Sequence, residues 1–130
     1  MAKSMSGYAF VFAGAVLGFL SVGMGAFGAH ALSEKLKLAA FVTYQTAVQY
    51  QFFHALALLA VGILSLNQND PLLKWAGTAI LAGILIFSGT LYLIAFTGTR
   101  WYGAITPVGG VSLLIGWALL SAFAWKRWMG

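Results

Sequence analysis

Four long runs of apolar residues, separated by short polar segments, dominate this chain of 130 residues. Each run suits the length of about 20 residues that an α-helix needs to cross the hydrocarbon core of a bilayer. We therefore predict an all-α, polytopic integral membrane protein, a four-transmembrane-helix bundle that forms a single domain over residues 1–130. The predicted spans are residues 6–29, 45–66, 72–97 and 107–125.

The positions of proline and glycine support these boundaries. Asp70 can cap the third helix, and Pro71 can occupy its first turn without losing a hydrogen bond. Thr106-Pro107 repeats this pattern before the fourth helix, so Thr106 is predicted to be its cap. Gly98 is a natural stop for the third helix. Both prolines of the chain thus fall at predicted helix starts.

The segment between the first two helices has a mixed character. A polar patch at 33–37 precedes residues 38–51, in which Thr, Tyr and Gln side chains are interspersed with apolar ones, whereas residues 52–66 are almost purely apolar. We expect a short amphipathic interfacial segment over about residues 35–44, either as a separate short helix or as the beginning of the second one.

Composition and charge agree with a membrane environment. The chain is 62% hydrophobic and 7% charged, whereas a soluble domain carries about 25% charged residues. The formal net charge is +5, but the basic residues lie singly or in pairs at the ends of apolar runs rather than in a stripe. We therefore expect the lipid bilayer, and no nucleic acid, as the partner. Since the chain has no Cys, disulfides and thiolate chemistry are excluded.

The first apolar run imitates a secretory signal. Lys3 precedes it, and Ala29-His30-Ala31 resembles a cleavage site between small residues. The run from Gly7 to Ala29 is, however, longer than the roughly 7–15 residues of a signal core. We therefore expect it to be retained as the first span.

Small residues recur at helical spacing in the predicted spans. Water does not drive helices together inside hydrocarbon, so close backbone packing and polar contacts must do so. We interpret three rows of small residues as helix contact faces; the alternative is that they leave room for a lipid tail or a pore. The rows are Gly14, Gly18, Ser21, Gly25 and Gly28 in the first helix, Ala76, Gly83 and Thr90 in the third, and Gly109, Ser112 and Gly116 in the fourth.

Polar side chains inside the spans are functional candidates by default. Those in the second helix are spread around it, so we expect protein rather than lipid to surround them. We favour hydrogen bonds between helices, which fix the register of the bundle. The alternative is that these side chains line a path for a solute or a proton. The candidates are Gln49, Gln51 and His54 in the second helix and Ser88, Thr90 and Tyr92 in the third.

No metal site, cofactor or catalytic centre is expected. His30 ends the first helix and is interpreted as an interfacial or capping residue, whereas His54 lies about 15 Å deeper at 1.5 Å per residue. Two ligands of one metal must lie at the same depth. Ser88 lacks the base and the orienting acid of a nucleophile, since Glu34 and Asp70 lie in loops on opposite sides of the membrane. We therefore expect that the protein is not an enzyme.

Four short segments carry a family resemblance. In their order along the chain they resemble a small bacterial inner-membrane family of unknown function that includes YgdD and YwdK and has a related small transmembrane protein in eukaryotes. The resemblance covers nearly the whole chain and departs from the family in the loops. It implies a four-helix membrane protein but no activity. The segments are residues 25–32 (GAFGAHAL), 46–56 (TAVQYQFFHAL), 87–92 (FSGTLY) and 103–110 (GAITPVGG).

Three hypotheses of function follow. The first is a non-enzymatic structural or accessory subunit, either a homo-oligomer or part of a larger membrane complex, because the short loops leave only helix faces for partners. The second is a small-solute transporter or channel, which would have to be a homo-oligomer because four helices cannot enclose a wide path. The third, lipid or quinone binding, depends on the aromatic content of 15%.

The basic residues also predict the orientation. Lys3, Lys74, Lys126 and Arg127 would lie on one side of the membrane. Lys35, Lys37 and Arg100 would lie on the other. The side with more basic residues usually faces the cytoplasm, so we expect an inner-membrane protein with both termini in the cytoplasm.

Overall fold

A computed structural model describes the backbone from Ala2 to Gly130 and the side chains from Gly7 onward. Over this part of the chain, four helical segments are long and apolar enough to cross a membrane. This confirms the predicted all-α membrane fold. The elements are α1 (Ala2–Phe27), a π-helical turn (Gly28–Leu32), α2 (Leu38–Asn67), α3 (Pro71–Thr97), a 3-10 segment (Arg100–Ala104) and α4 (Thr106–Met129).

Both predicted ends of α3 are confirmed. The side chain of Asp70 accepts a hydrogen bond of 2.9 Å from the backbone N–H of Leu72, and Pro71 is the first residue of the helix. Gly98 ends α3 in the left-handed conformation, with φ of 71°, which a residue without Cβ adopts without strain. The predicted cap of α4 was wrong, because Thr106 is the first helical residue and its hydroxyl donates to the carbonyl of Tyr102 instead.

Three other boundaries differ from the prediction. Helix α2 begins at Leu38 rather than at residue 45 and runs without a break for 30 residues, so the interfacial segment forms the beginning of this helix, which is one of the two expected alternatives. Its length of about 45 Å exceeds the hydrocarbon thickness of about 30 Å, so its first turns reach beyond the bilayer core. The first span, predicted to end at Ala29, ends as an α-helix at Phe27 and continues to Leu32 as the π-helical turn. Helix α4 continues past Trp125, and Lys126 and Arg127 lie in its last turn, where the helix dipole favours cations.

Helices α2 and α3 form the centre of the molecule. Each helix packs on the next one along the chain: α1 on α2, α2 on α3, and α3 on α4. Helix α1 also touches α3, chiefly where the ring of Phe10 covers Gly77. Within the described residues α1 and α4 make at most marginal contact, so the bundle is open on that side. The main buried cluster includes Leu58, Val61, Leu73, Ile80, Ile84 and Leu113.

The bundle has two distinct ends. At the end that we call the terminal face, Gly7 of α1 lies against Gly62, and Lys126 of α4 contacts Asp70. The beginning of α1 and the end of α4 therefore lie at this face. At the opposite end, the loop face, residues 33–37 and 98–105 connect the helices. The Lys3 side chain, which the orientation prediction counts, lies outside the described residues.

Candidate functional site

Gln51 joins three helices in the middle of the bundle. It lies on α2 and is buried, with 4% of its surface exposed. Its amide nitrogen donates to the carbonyl of Leu17 on α1 at 2.9 Å, and its amide oxygen accepts from the hydroxyl of Tyr92 on α3 at 2.7 Å. An amide carries a donor and an acceptor on one planar group, and here it uses both to bond two neighbouring helices.

His54 lies one turn further along α2 and reaches α4. Its Nδ1 is 2.7 Å from the carbonyl of Tyr50, and the indole N–H of Trp117 donates to its Nε2 at 3.0 Å. The neutral tautomer with the proton on Nδ1 satisfies both contacts, because that ring donates at Nδ1 and accepts at Nε2. His54 thus connects α2 to α4 across the centre of the molecule.

Hydroxyl groups make the remaining bonds between helices. Ser88 on α3 donates to the carbonyl of Ala47 on α2 at 2.8 Å. Thr90 on α3 bonds the hydroxyl of Thr106 on α4 at 2.7 Å, and Ser112 on α4 donates to a carbonyl of α3. Each helix is therefore held to a neighbour by polar side chains. We call this set the polar network: Tyr44, Gln51, His54, Ser88, Thr90, Tyr92, Thr106, Ser112 and Trp117.

Tyr44 is a member of the network that sequence reasoning missed. We assigned it to the interfacial segment, but it is fully buried, and its hydroxyl donates to the carbonyl of Met24 on α1 at 2.5 Å. The ring of Tyr92 packs edge-on against it, with centroids 5.6 Å apart. A signal was present in the sequence, because Tyr44, Gln51 and Leu58 lie seven residues apart on α2 and all three are buried. A spacing of seven marks one helix face.

Two of the predicted candidates lie outside the network. Gln49 on α2 is exposed and makes no hydrogen bond to any described residue, so the prediction that protein surrounds the whole polar set of this helix was wrong. The error arises because Gln49 and Gln51 are two positions apart and therefore point to different faces. His30 is exposed at the loop face, in the π-helical turn.

The small residues of α1 pack unevenly. A Cβ added to Gly14 would lie 2.9 Å from the carbonyl oxygen of Ala55, and the ring of Tyr44 covers Gly28. These two glycines thus lie where α1 and α2 touch. Ser21 is buried, but its hydroxyl bonds the carbonyl of Leu17 in its own helix.

The middle of the same row is open. No atom lies within 4 Å of the position that a Cβ would take at Gly18, and the nearest atom at Gly25 is a Val48 methyl group at 3.6 Å. The expected continuous contact face is therefore interrupted at Gly18. In contrast, both glycines predicted on α4 are covered: a Cβ on Gly109 would lie 2.8 Å from Cα of Phe87, and one on Gly116 would lie 3.3 Å from the carbonyl oxygen of Ala76.

An ion-pair cluster closes the terminal face. Besides capping α3, Asp70 contacts the ammonium group of Lys126 at 2.5 Å, and the guanidinium of Arg127 lies 3.8 Å away. The hydrogen bond from Lys126, followed by that from the backbone of Leu72, holds the pKa of Asp70 below its usual range. The cluster ties the end of α4 to the loop between α2 and α3. Among the residues described, no group of three His, Asp or Glu side chains could hold a metal ion.

The fold and the polar network define a small multi-pass α-helical membrane protein whose buried polar side chains bond one helix to another. The chain belongs to the family described as "Protein of unknown function (DUF423)", which matches residues 24–110. This confirms the resemblance found in the sequence. The matched part holds most of the polar network, but it leaves out Ser112 and Trp117.

Several related proteins are similar in sequence to most of this chain. A UPF0382 membrane protein of Staphylococcus saprophyticus is 43% identical over 111 residues, which are 85% of this chain and 92% of that protein. The UPF0382 inner membrane protein YgdD of Escherichia coli K12 is 40% identical over 106 residues, which are 82% of this chain and 81% of YgdD. No solved structure matches this chain. The names of these relatives, together with the four helices long enough to cross a membrane, confirm a multi-pass membrane location.

Proposed function

We propose that this protein is a non-enzymatic structural or accessory subunit of the inner membrane, which associates through its helix faces with copies of itself or with a larger membrane complex. One observation carries the proposal: the buried polar side chains are engaged inside the bundle. Gln51, His54 and Ser88 each bond a neighbouring helix. Bonds of this kind between membrane helices stabilise packing and set register.

The same contacts give the transport hypothesis less support. A path for a solute or a proton needs polar groups that face a continuous wet channel. Gln51 and His54 are only 4% and 6% exposed, and both ends of each side chain already have a partner in the protein. Gln49 faces the outer surface between α1 and α2 rather than the middle of the bundle.

The outer face of α4 is the surface that we propose for partners. Leu114 is 69% exposed, and Ile115 and Val111 are each about half exposed. No other described helix covers that side of α4. Because connecting loops are short, the protein offers little else to a partner. Helix α1 exposes a second such surface, on which Phe12 is 72% exposed.

Single-cysteine cross-linking in intact membranes tests the proposal, because the chain has no Cys of its own. We expect Leu114→Cys or Phe12→Cys to yield a cross-linked dimer or a cross-link to one stoichiometric partner. The matched control, Val61→Cys, is fully buried and should yield none. Native mass spectrometry from a gentle detergent should show the same assembly. A monomer by mass spectrometry, without cross-linking at either outer position, would refute the subunit proposal.

We also propose that the terminal face lies in the cytoplasm. Lys74, Lys126 and Arg127 are at this face and Lys3 precedes it, against Lys35, Lys37 and Arg100 at the loop face, and the positive-inside rule favours the larger number. A green fluorescent protein fused to the C-terminus should fluoresce, and an alkaline phosphatase fused there should be inactive. The reverse result would place the termini in the periplasm.

A further inference from the structure

A groove runs along the outer surface between α1 and α2, from the loop face past the middle of the bundle. It consists of three adjacent stretches that share lining residues, with volumes of about 330, 260 and 470 Å³. The first two stretches share Gly25 and Gln49, and the last two share Val22 and Phe52. We call it the α1–α2 groove. It exists because Gly18 and Gly25 leave open the space that larger side chains would fill.

The groove is polar at one end only. Gln45 and Gln49 line the stretch nearest the loop face, whereas Leu56 and Leu59 line the far stretch, which is almost wholly apolar. The two glutamines are one helical turn apart, both are exposed, and neither bonds another described residue. An amide that faces hydrocarbon without a partner is costly. The groove therefore suits a molecule that has hydrogen-bond acceptors near the loop face and an apolar remainder.

Positively charged residues lie at the start of α2, next to the polar end of the groove in sequence. Lys37 precedes the first turn of α2 and is one turn from Phe41, which lines the groove. No side chain caps this helix start, so its N–H groups and the positive end of its dipole remain available to an anion. Lys35 adds a second ammonium group, and Glu34 is the only acidic residue in this loop. An anionic group is thus favoured here.

The dimensions fit one leaflet of a bilayer. From Lys37 to Phe53, in the middle stretch of the groove, are 16 residues of α2, which is about 24 Å at 1.5 Å per residue. Half of a bilayer, headgroups included, is about 20–22 Å thick. The distance from the cations to the middle of the groove therefore matches the length of one phospholipid. A helix of a second copy would fill the whole groove but would leave the amides and cations at one end unexplained.

We propose that the α1–α2 groove binds one anionic phospholipid. Its phosphate lies at the start of α2 beside Lys37, and an ester carbonyl accepts a hydrogen bond from Gln45, the glutamine nearer to Lys37. One acyl chain runs over the open glycines of α1, Gly25 and then Gly18.

Lipid titration of the delipidated protein, followed by native mass spectrometry, tests the groove. One phosphatidylglycerol should bind per chain, and more tightly than phosphatidylcholine. Gly25→Leu fills the groove and should weaken this binding by about tenfold. The matched control is Gly89→Leu on α3, which has no atom within 4 Å of its Cβ position and lies outside the groove. It should leave binding unchanged. Equal binding by Gly25→Leu and the wild type would overturn the proposal.

A second pair of variants tests the charge. Lys37→Gln should weaken phosphatidylglycerol binding about fivefold, the usual effect of one Lys near an anionic lipid surface, and should leave phosphatidylcholine binding unchanged. Lys74→Gln, at the terminal face, is the matched control and should have no effect. If Lys37→Gln and Lys74→Gln weaken binding equally, the headgroup does not lie at the start of α2.

A third experiment uses the wild-type protein and so does not depend on the folding of a variant. Phosphatidylglycerol with a photoactivatable group at the end of one acyl chain should label peptides that contain residues 18–25 or 48–56. Labelling spread evenly over α3 and α4 would overturn the proposal. So would a dimer that Gly25→Leu disrupts in a protein without bound lipid, since a second copy would then occupy the groove.

Discussion

The contact between α3 and α4 and the contact between α1 and α2 use glycine in different ways. Between α3 and α4, each glycine of the contact is covered by the partner helix: Gly83 by Leu113, Gly109 by Phe87 and Gly116 by Ile80. Between α1 and α2 the cover is partial. Close approaches occur toward the two ends of α1, at Gly7, Gly14 and Gly28, whereas Gly18 and Gly23 have no atom within 4 Å of a Cβ position.

The difference shows that the spacing of small residues does not by itself determine a helix contact. Glycine allows a backbone to approach, but the side chains of the partner helix decide whether that space is filled. Phe87 and Ile80 fill it in the α3–α4 contact. In the α1–α2 contact no side chain of α2 reaches the Cβ position of Gly18, and a groove remains. One contact is closed, and the other is available to lipid.

The largest expected effect is at Gly109. A Cβ there would lie 2.8 Å from Cα of Phe87, and a helix backbone cannot move aside as a flexible side chain can. We expect Gly109→Ala to lower the free energy of unfolding by about 3 kcal/mol, the upper range for overpacking a tight core. Denaturation in detergent micelles, followed by circular dichroism, measures the change.

The matched variant in the open contact is Gly18→Ala. Since no atom lies within 4 Å of its Cβ position, we expect the free energy of unfolding not to fall. The higher helix propensity of Ala can raise it by up to about 1 kcal/mol. A similar loss in Gly109→Ala and Gly18→Ala would mean that the two contacts are equally packed, contrary to the comparison.

The second largest effect is expected at Gln51, on the face of α2 that points into the bundle, and it can be compared with Gln49, on the face that lines the groove. Gln51→Leu removes bonds to α1 and α3 and leaves the Tyr92 hydroxyl without a partner. We expect a loss of about 1–2 kcal/mol, because bonds between membrane helices average about 0.6 kcal/mol and an unpaired buried group adds to the cost. Gln49→Leu, two residues away, should change the free energy of unfolding by less than about 0.5 kcal/mol. The same denaturation measurement applies, and equal losses would contradict the assignment.

The sequence predicted the helices better than it predicted their contacts. Helix number and the ends of α3 depend on apolar length and on local capping by Asp70 and Gly98, and these signals lie within a few residues. The buried bonds depend on residues far apart in sequence, such as His54 and Trp117, which are separated by 63 positions. Residue type therefore identified His54 as a candidate but not its partner, and Trp117 was missed.

The groove could not be predicted from the sequence either, because it also depends on contacts between residues far apart in sequence. The glycine row suggested either a contact face or room for a lipid tail or a pore, and the structure shows helix contact at some of its glycines and open space at others. Gly14 and Gly28 touch α2, whereas Gly18 does not. Only the position of the α2 side chains opposite each glycine decides between them, and that position depends on the packing of the whole bundle.

The third effect concerns the link between α2 and α4. Trp117→Phe retains an aromatic ring but removes the N–H that donates to His54. We expect a loss of about 0.6 kcal/mol, the average for a bond between membrane helices. Trp125→Phe is the matched control, because Trp125 is exposed and bonds no described residue. If Trp125→Phe lowers the free energy of unfolding as much as Trp117→Phe does, the loss of stability comes from the smaller ring and not from the hydrogen bond.

The smallest expected effect is at the terminal face, where Asp70 ties the end of α4 to the loop between α2 and α3. Its pKa in the folded protein is lowered, chiefly by the hydrogen bond from Lys126. The carboxylate therefore stabilises the fold above the usual aspartate pKa of about 4, and this stabilisation is lost as the pH falls through the lowered value. Surface ion pairs contribute little, so the effect is small.

Asp70→Asn isolates the ion pair, because Asn can still accept the hydrogen bond from Leu72 as a helix cap. The melting temperature of this variant should lie slightly below that of the wild type at pH 7. The two melting temperatures should converge as the pH is lowered below the folded pKa of Asp70, since both side chains are then neutral. A difference that stays constant with pH would show that Asp70 acts through its cap or its packing, and that the charges of Lys126 and Arg127 do not hold α4 to the loop.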